Sequence, residues 1–167
     1  MDRIDQQKRS WNMSRIKGKN TKPEMTVRRY LWAHGFRYRV NDQRLPGKPD
    51  IVLTKYRTVI FVHGCFWHGH ENCRHFRIPK TNVAFWSHKI EQNRSRDMNV
   101  RQQLRLMGWR TMVLWECQLR TTYALTTLDG FVRLLQESYL KDHSATPIKE
   151  RMVAEDDLAY GEESTKQ

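Results

Sequence analysis

Histidines and cysteines are concentrated in one short segment of this chain, residues 63–73. An apolar run, Thr58–Val62, leads directly into the segment, and Gly64 and Gly69 interrupt it. A buried strand that ends in a glycine-punctuated polar loop is a common rigid support for reactive side chains. Thiols and imidazoles bind borderline metals, and imidazoles also transfer protons near neutral pH. The segment therefore predicts a metal site and a reaction site side by side.

The first candidate is a zinc site made of three cysteines and one histidine. Cys65 and Cys73 come from the segment itself, whereas Cys117 comes from far along the chain. Four protein ligands of these types suit a closed, tetrahedral, structural zinc ion. The alternative is that Cys117 is a buried core thiol and the other two cysteines are incidental. Three histidines could supply the fourth ligand, and spacing alone does not choose among His68, His70 and His75.

The second candidate is a site for phosphodiester hydrolysis. Asp50 follows the turn Leu45–Pro49 and begins an apolar strand, which places a carboxylate beside the histidine segment. Carboxylate and carbonyl oxygens are the ligands that magnesium prefers, and His63 and His68 could serve as base, acid or phosphate partner. The simpler interpretation is an aspartate in a turn beside two structural histidines. Glu24 and Asp97 are weaker candidates, since one could only cap a helix and the other could be a solvated helix carboxylate.

Two pairs of adjacent large aromatic residues accompany these polar groups. Phe66-Trp67 lies within the histidine segment, and Phe85-Trp86 lies at the start of the next helical pattern. One interpretation is packing in the core. The other is insertion between base pairs, which costs a few kcal/mol of unstacking and is offset by wider contact. The basic character of the chain favours insertion.

The composition indicates a polyanionic partner. The chain of 167 residues has 30 Lys and Arg against 18 Asp and Glu, a net charge of +12. Residues 141–167 hold four basic and seven acidic residues, so the first 140 residues carry a net +15. Phosphate neutralisation supplies most non-specific affinity for nucleic acid, so the basic body predicts a nucleic-acid-binding surface.

Three features of the sequence bear on the cellular location of the protein. No apolar run is long enough for a membrane span, and the basic N-terminus has no apolar signal stretch. The odd number of cysteines, three, argues against a disulfide framework. We therefore expect an intracellular protein.

Helices and strands must position these residues, and the pattern predicts three helices around one mixed sheet. The first helix begins at Thr21, with Glu24 completing a capping box, and ends at Gly35. The second covers residues 82–107, with an apolar face that includes Phe85, Ile90, Leu104 and Met107. The third covers residues 126–140, and its predicted core residues are Leu128, Phe131, Val132, Leu135 and Tyr139.

Four strands complete the prediction. Residues 36–40 alternate at period two, residues 50–53 and 58–62 form a hairpin, and residues 109–115 form a last strand. The continuous apolar character of the hairpin predicts cover on both faces. The fold class is therefore α/β, with a central mixed sheet flanked by helices. We predict a basic arm over residues 1–20, one domain over residues 21–140, and a disordered acidic tail over residues 141–167.

Several ordered motifs together resemble the very-short-patch repair (Vsr) DNA mismatch endonucleases. The resemblance covers about residues 12–120. Its motifs are Leu45-Pro46-Gly47-Lys48-Pro49-Asp50, His63-Gly64-Cys65-Phe66-Trp67-His68, Phe85-Trp86, Lys89-Ile90, Asn93, Arg96-Asp97, Gly108-Trp109-Arg110 and Trp115-Glu116-Cys117. The family implies a restriction-endonuclease-like fold with a structural zinc site. It also implies a magnesium-dependent nick beside the thymine of a T:G mismatch left by deamination of 5-methylcytosine.

The resemblance also implies roles for individual residues. Asp50 corresponds to the magnesium ligand, with the main-chain carbonyl of Val62 as a further ligand. His68 corresponds to the histidine that activates water. His63 corresponds to its partner on the phosphate side, and Asp97 corresponds to its supporting partner. Glu24 corresponds to a residue that contacts the water shell of the metal. The implied zinc ligands are Cys65, His70, Cys73 and Cys117, the intercalating aromatics are Phe66, Trp67 and Trp86, and the DNA-binding arm includes Trp11, Asn12, Met13, Arg15 and Lys17.

The expected substrate partner is double-stranded DNA containing a T:G mismatch. Mismatch-repair proteins and a DNA polymerase would complete the repair, and the enzyme is expected to be a monomer in the bacterial cytoplasm, associated with the nucleoid when bound to DNA. Two other hypotheses remain at this point. The chain could be a zinc-stabilised DNA-binding module without nuclease activity, or a restriction-type endonuclease that cuts matched DNA.

Overall fold

The centre of the protein is a four-stranded mixed sheet with helices on its faces. The structure is a computed structural model, and it describes residues 7, 11, 14, 15, 18–120 and 123–144. The strand order is β1-β2-β3-β4. The strands are β1 (Arg39–Val40), β2 (Ile51–Leu53), β3 (Thr58–His63) and β4 (Arg110–Trp115). The predicted α/β class is confirmed.

The pairing of β3 with β4 decides where the candidate site lies. β1, β2 and β3 are antiparallel neighbours, whereas β3 and β4 run parallel with His63 opposite Trp115. Parallel strands end at the same edge of a sheet. Cys65 and Cys117 each lie two residues beyond this last pair, so the loop after β3 meets the segment after β4.

Helix α1 (Lys22–Ala33) begins as the sequence predicts. The hydroxyl of Thr21 accepts a hydrogen bond from the main-chain N–H of Glu24, and a proline lies in the first turn. The carboxylate of Glu24 reaches back to the main-chain N–H of Asn20 at 2.9 Å, so the reciprocal bond reaches one residue further than in a standard capping box. Gly35 ends the helix with φ +82°.

The first strand is shorter than predicted. Only Arg39–Val40 pairs with β2, whereas the sequence predicts a strand over residues 36–40. The reason is that β2 offers a pairing edge of only three residues. Phe36 is 2% exposed in the core instead, next to the helix end.

The predicted hairpin of β2 and β3 is confirmed, and a turn of 3-10 helix over Thr54–Tyr56 closes it. Every residue of β2 is buried. One face packs on α1 and on α3 (Tyr123–Ser144), and the opposite face packs on α2 (Val83–Leu106) through Val52, Val59 and Leu104. Cover on both faces, as the sequence predicts, holds the ends of β2 and β3 rigidly.

Helix α2 buries less than its pattern predicts. Only Ile90 and Leu104 are buried, and Phe85 and Met107 are exposed. The helix covers the sheet with its C-terminal half, while its N-terminal half lies over the loop that follows β3. Part of the predicted apolar face therefore lies against that loop instead of the sheet.

Helix α3 is longer than predicted at both ends, because it spans Tyr123–Ser144 instead of residues 126–140. An ion pair of 2.5 Å between Arg110 and Asp142 ties its last turns to β4. Tyr139 is half-buried against Tyr56, and the other four predicted core residues are buried: Leu128, Phe131, Val132 and Leu135.

The rest of the predicted tail, residues 145–167, lies outside the described residues. None of the helices in the described part of the chain combines the length and the hydrophobicity that a membrane span requires.

Candidate active site and metal centre

A cavity of about 440 Å³ opens where β2 begins and β3 ends. Side chains from the hairpin, the loop after β3, the start of α1 and the middle of α2 all reach it. The predicted residues that line it are Glu24, Asp50, Val62, His63, His68 and Asp97. The structure therefore brings the whole predicted catalytic set into one concave site.

Asp50 is fixed at the mouth of the hairpin. Its Oδ2 accepts a hydrogen bond of 2.8 Å from the main-chain N–H of Val62, and its own carbonyl oxygen accepts one from the Arg28 guanidinium at 3.2 Å. Burial raises the pKa of Asp50 to about 6 from 3.8, the nearby Glu24 adds to the increase, and the Val62 hydrogen bond opposes it. Because burial disfavours the ionised form of this carboxylate, the group is suited to neutralisation by a bound cation.

Both carboxylate oxygens of Glu24 accept hydrogen bonds. Oε1 accepts from the hydroxyl of Thr21 at 2.8 Å, and Oε2 accepts from Asn20 N–H and from Arg28 Nη2 at 3.1 Å. The pair with Arg28 is buried, with side chains 7% and 5% exposed. Glu24 thus caps α1 and pairs with Arg28 in addition to lining the cavity.

His68 is oriented by a carboxylate on α2. Its Nδ1 lies 2.6 Å from Oδ2 of Asp97. Burial alone would raise the pKa of Asp97, but the hydrogen bond from His68 and the charges of nearby cationic groups bring it below its ordinary value. Because Asp97 is an acceptor, the network assigns the proton to Nδ1, which leaves Nε2 free to accept a proton from water.

His63 lies directly against His68, with ring centroids 3.7 Å apart and planes at 10°. Burial, and then the charge of His68, lowers the pKa of His63 to about 4, against the opposing effect of Asp97. His63 is therefore neutral at physiological pH. Its buried Nδ1 has no hydrogen-bond partner among the described residues and lies 3.9 Å from Asp97 Oδ2.

The two imidazoles and Asp97 could in principle hold a metal ion, since their ligand atoms lie within 4.8 Å of one another. The ring stacking argues against this use. An imidazole binds a metal through the lone pair in its ring plane, and two parallel stacked rings cannot both direct that lone pair at one ion. The arrangement instead suits proton transfer by His68 beside a neutral imidazole.

The second cluster has the chemistry of a zinc site. Ligand atoms of Cys65, His70, Cys73 and Cys117 all lie within 4.8 Å of one another. Nδ1 of His70 is 3.4 Å from Sγ of Cys117, and the His70 ring stacks on Trp115 at 4.0 Å. The other candidate histidines are elsewhere, because His68 faces Asp97 and His75 is exposed beside Arg74.

The pKa values of the three thiols are shifted in different directions. Burial raises the pKa of Cys65 to about 12 and also raises the pKa of Cys117. Burial would likewise raise the pKa of Cys73, but hydrogen bonds from the main chain and from the neighbouring thiols lower it overall. Three sulfurs and one nitrogen match the donor set of structural zinc, which would bind the cysteines as thiolates.

Three of the four aromatic residues form one cluster beside the cavity. Phe66, Trp67 and Trp86 contact one another with centroid distances of 5.2, 5.2 and 6.0 Å. They are half-buried, and they belong to neither hydrophobic core cluster of the described residues. Phe85 is 61% exposed and contacts only Trp86 among them. The cluster is therefore a surface feature, which favours the insertion interpretation over core packing.

Six further polar residues, to which the sequence analysis gives no catalytic role, also line the cavity. Lys48 lines the cavity, and it has φ +52° and precedes a proline, a combination that L residues rarely adopt. The order Leu45-Pro46-Gly47-Lys48 is typical of a tight turn, and the main-chain N–H of Lys48 donates a hydrogen bond to the carbonyl of Leu45 at 3.1 Å. The six residues are Lys19, Thr21, Asn41, Lys48, Asn93 and Arg96.

The predicted arm is only partly described. Trp11 is 55% exposed, and the Arg15 guanidinium lies 4.2 Å from the centroid of its ring. Three arm residues named from the sequence, Asn12, Met13 and Lys17, lie outside the described residues.

Comparison with known proteins identifies close relatives. The model of the family described as DNA mismatch endonuclease Vsr matches residues 1–74. The DNA mismatch endonuclease Vsr of Escherichia coli is 43% identical over 122 residues, which cover 73% of this chain and 78% of that protein. The type II nicking enzyme V.NmeAIP of Neisseria meningitidis is 52% identical over 113 residues, which cover 68% and 80%. The type II nicking enzyme V.XorIIP of Xanthomonas oryzae is 46% identical over 124 residues, which cover 74% and 90%.

Proposed function

Because the chain belongs to the Vsr family of DNA mismatch endonucleases, we propose that it nicks one strand of DNA beside the thymine of a T:G mismatch. The mismatch would arise by deamination of 5-methylcytosine, and the nick would start very-short-patch repair. Several relatives are named nicking enzymes, which supports cleavage of a single strand. The mixed sheet with its cavity at the strand ends supports a restriction-endonuclease-like fold.

The proposed metal site for catalysis is Asp50 with the main-chain carbonyl of Val62. The residues fit a hard divalent cation, since a buried carboxylate with a raised pKa lies beside a strand end in the cavity. Magnesium bound there would neutralise charge on the scissile phosphate and polarise it. Glu24 lines the same cavity and supports the start of α1 through Arg28 and Asn20.

His68 is the proposed general base. Its Nε2 would take a proton from the attacking water as the oxygen bonds to phosphorus and the bond to the leaving oxygen breaks. Asp97 holds the imidazole in the required tautomer through the 2.6 Å contact and stabilises the imidazolium that forms. His63, neutral because of its burial, would donate a hydrogen bond towards the phosphate side without adding a charge.

The remaining clusters have proposed roles in structure and in DNA binding. The cluster of three cysteines and His70 is the proposed structural zinc site, which would connect the loop after β3 to the segment after β4. Phe66, Trp67 and Trp86 are the proposed wedge in the base stack, and the arm around Trp11 is proposed to contact the minor groove. A monomeric state, a cytoplasmic location and the participation of a polymerase and mismatch-repair proteins remain predictions.

The observation that carries the proposal is the convergence of Asp50, His68 and Asp97 on one cavity next to the aromatic cluster. The test is a nicking assay on a duplex with one T:G mismatch, labelled on each strand in turn, with and without magnesium. A matched C:G duplex of the same sequence is the control. Nicking of the thymine strand alone, dependent on both magnesium and mismatch, is expected. Cleavage of both strands of the matched duplex would favour the restriction-type alternative.

A further inference from the structure

Arg94 of α2 holds the loop between the proposed base and the proposed zinc ligand. Its Nη2 donates a hydrogen bond to the main-chain carbonyl of Gly69, the residue between His68 and His70. Its Nη1 lies 3.2 Å from Oε1 of Glu71, whose side chain is 78% exposed. Since an exposed ion pair is screened by solvent and contributes little to stability, the carbonyl contact is the more important of the two.

The packing around Gly69 shows how closely the arginine fits. Gly69 is buried, with φ +61°. A Cβ atom there would lie 2.5 Å from Nε of Arg94 and 2.7 Å from Cγ2 of Ile90. Helix α2 therefore contacts the loop backbone directly at Gly69. The Arg94 guanidinium fills the space that a side chain at Gly69 would need.

Helix α2 holds the two consecutive loop residues from the same side. Arg94 and Asp97 are three residues apart, so their side chains lie on neighbouring parts of one helix face. Asp97 binds the ring of His68, and Arg94 binds the carbonyl of Gly69. The arginine does not line the 440 Å³ cavity, so among the described contacts its link to the proposed chemistry runs through the loop backbone.

We infer that Arg94 is a positioning residue, which sets the distance and angle between His68 and Asp97 by fixing the backbone at Gly69. The inference rests on the proposed function, in which His68 activates water. A hydrogen bond from a rigid helix to a loop carbonyl limits the movement of the preceding side chain. Positioning of this kind affects the rate of a reaction more than the affinity for substrate, because the geometry matters most in the transition state.

The test compares Arg94→Ala and Arg94→Lys with wild type on the mismatched duplex. Arg94→Ala is expected to lower the single-turnover rate about tenfold or more, a part of the 10²–10⁴ typical of a positioned base, with Kd for the duplex within about twofold. Arg94→Lys keeps one donor and should recover part of the rate. Arg105→Ala, which removes an exposed positive charge elsewhere on α2, is the matched control and should leave both quantities unchanged.

Two further measurements separate positioning from other roles. Zinc content should equal that of wild type in both variants. The ring N–H resonance of His68, followed by NMR in the free protein, should broaden or shift in Arg94→Ala and return towards wild type in Arg94→Lys. This readout reports on the contact with Asp97 whether or not the protein nicks DNA.

Several results would overturn the inference. An unchanged rate in Arg94→Ala, or an unchanged His68 resonance, would show that the loop does not need the arginine. A weaker Kd with a shallower salt dependence and a normal rate would make Arg94 a phosphate ligand. Loss of zinc together with activity would make its role purely structural. Failure of the wild-type protein to nick mismatched DNA is a separate result, which would refute the proposed function instead.

Discussion

His68 and Asp97 are joined by a hydrogen bond of 2.6 Å between the loop after β3 and the middle of α2. The bond assigns the proton to Nδ1, and His68 lines the cavity. Because burial also holds His63 neutral beside it, His68 is the imidazole of the pair that can gain a proton during the reaction.

Asp97→Asn is therefore expected to lower the nicking rate about 10²–10⁴-fold, the range for loss of general base catalysis. The amide can present an N–H to Nδ1, which favours the wrong tautomer. Single-turnover nicking at saturating enzyme measures the rate, and fluorescence anisotropy measures DNA binding, which should change little. A rate within threefold of wild type would contradict the role of the pair.

Asp50→Asn is expected to stabilise the protein at alkaline pH in magnesium-free buffer. Since burial raises the pKa of Asp50 to about 6 from 3.8, the folded chain binds this proton more tightly than the unfolded chain. Its contribution to stability is fully present below about pH 4 and is lost as pH rises through about 6. Removing the charge should add up to about 3 kcal/mol to the free energy of unfolding at pH 8, and little at pH 4.

Urea unfolding at the two pH values measures this difference. The asparagine can still accept the hydrogen bond from Val62 N–H. Glu91→Gln, which removes an exposed carboxylate on α2, is the control and should follow wild type at both pH values. An Asp50→Asn protein that is less stable than wild type at pH 8 would mean that the carboxylate is a structural anchor.

Cys117→Ser should remove zinc from the protein and loosen the connection between β4 and the loop after β3. Wild type is expected to contain one zinc ion per chain, and the variant much less, because one of four ligands is lost. Elemental analysis by mass spectrometry gives the metal content, and thermal unfolding gives the accompanying fall in Tm. Retention of one tightly bound zinc with an unchanged Tm would refute the ligand set.

Trp67→Ala should weaken binding to mismatched DNA about fivefold to a hundredfold, since stacking of an aromatic side chain on a base contributes about 1–3 kcal/mol. The expected loss follows from its place in the surface cluster with Phe66 and Trp86. The matched control is Trp32→Ala, because Trp32 is 57% exposed on α1 and contacts Tyr38 and Arg37, away from that cluster. Equal losses in the two variants would argue against insertion by Trp67.

Local features of the fold could be predicted because their causes lie close together in sequence. The start of α1 depends on Thr21 and Glu24, three residues apart, and the hairpin depends on two adjacent apolar runs. The four buried residues of α3 follow helical spacing on an apolar face. Each of these signals can be recognised without knowledge of the rest of the chain.

Features that depend on distant pairing could not be predicted. The sequence shows neither that β3 and β4 are parallel nor that His63 lies opposite Trp115, yet this register brings Cys117 to the loop. The burial of Arg28 against Glu24 has no local signal either. The sequence pattern overestimates the burial of the N-terminal half of α2. Helical spacing does not show that this half covers a loop rather than the sheet.

A comparison of wild type with His68→Ala on the T:G duplex in the presence of magnesium tests whether His68 is the general base. Wild type should nick the thymine strand, whereas His68→Ala should bind the duplex with unchanged affinity and nick it at least 10²-fold more slowly. Nicking by His68→Ala at the wild-type rate would show that a group other than this histidine, held by Asp97, activates the attacking water.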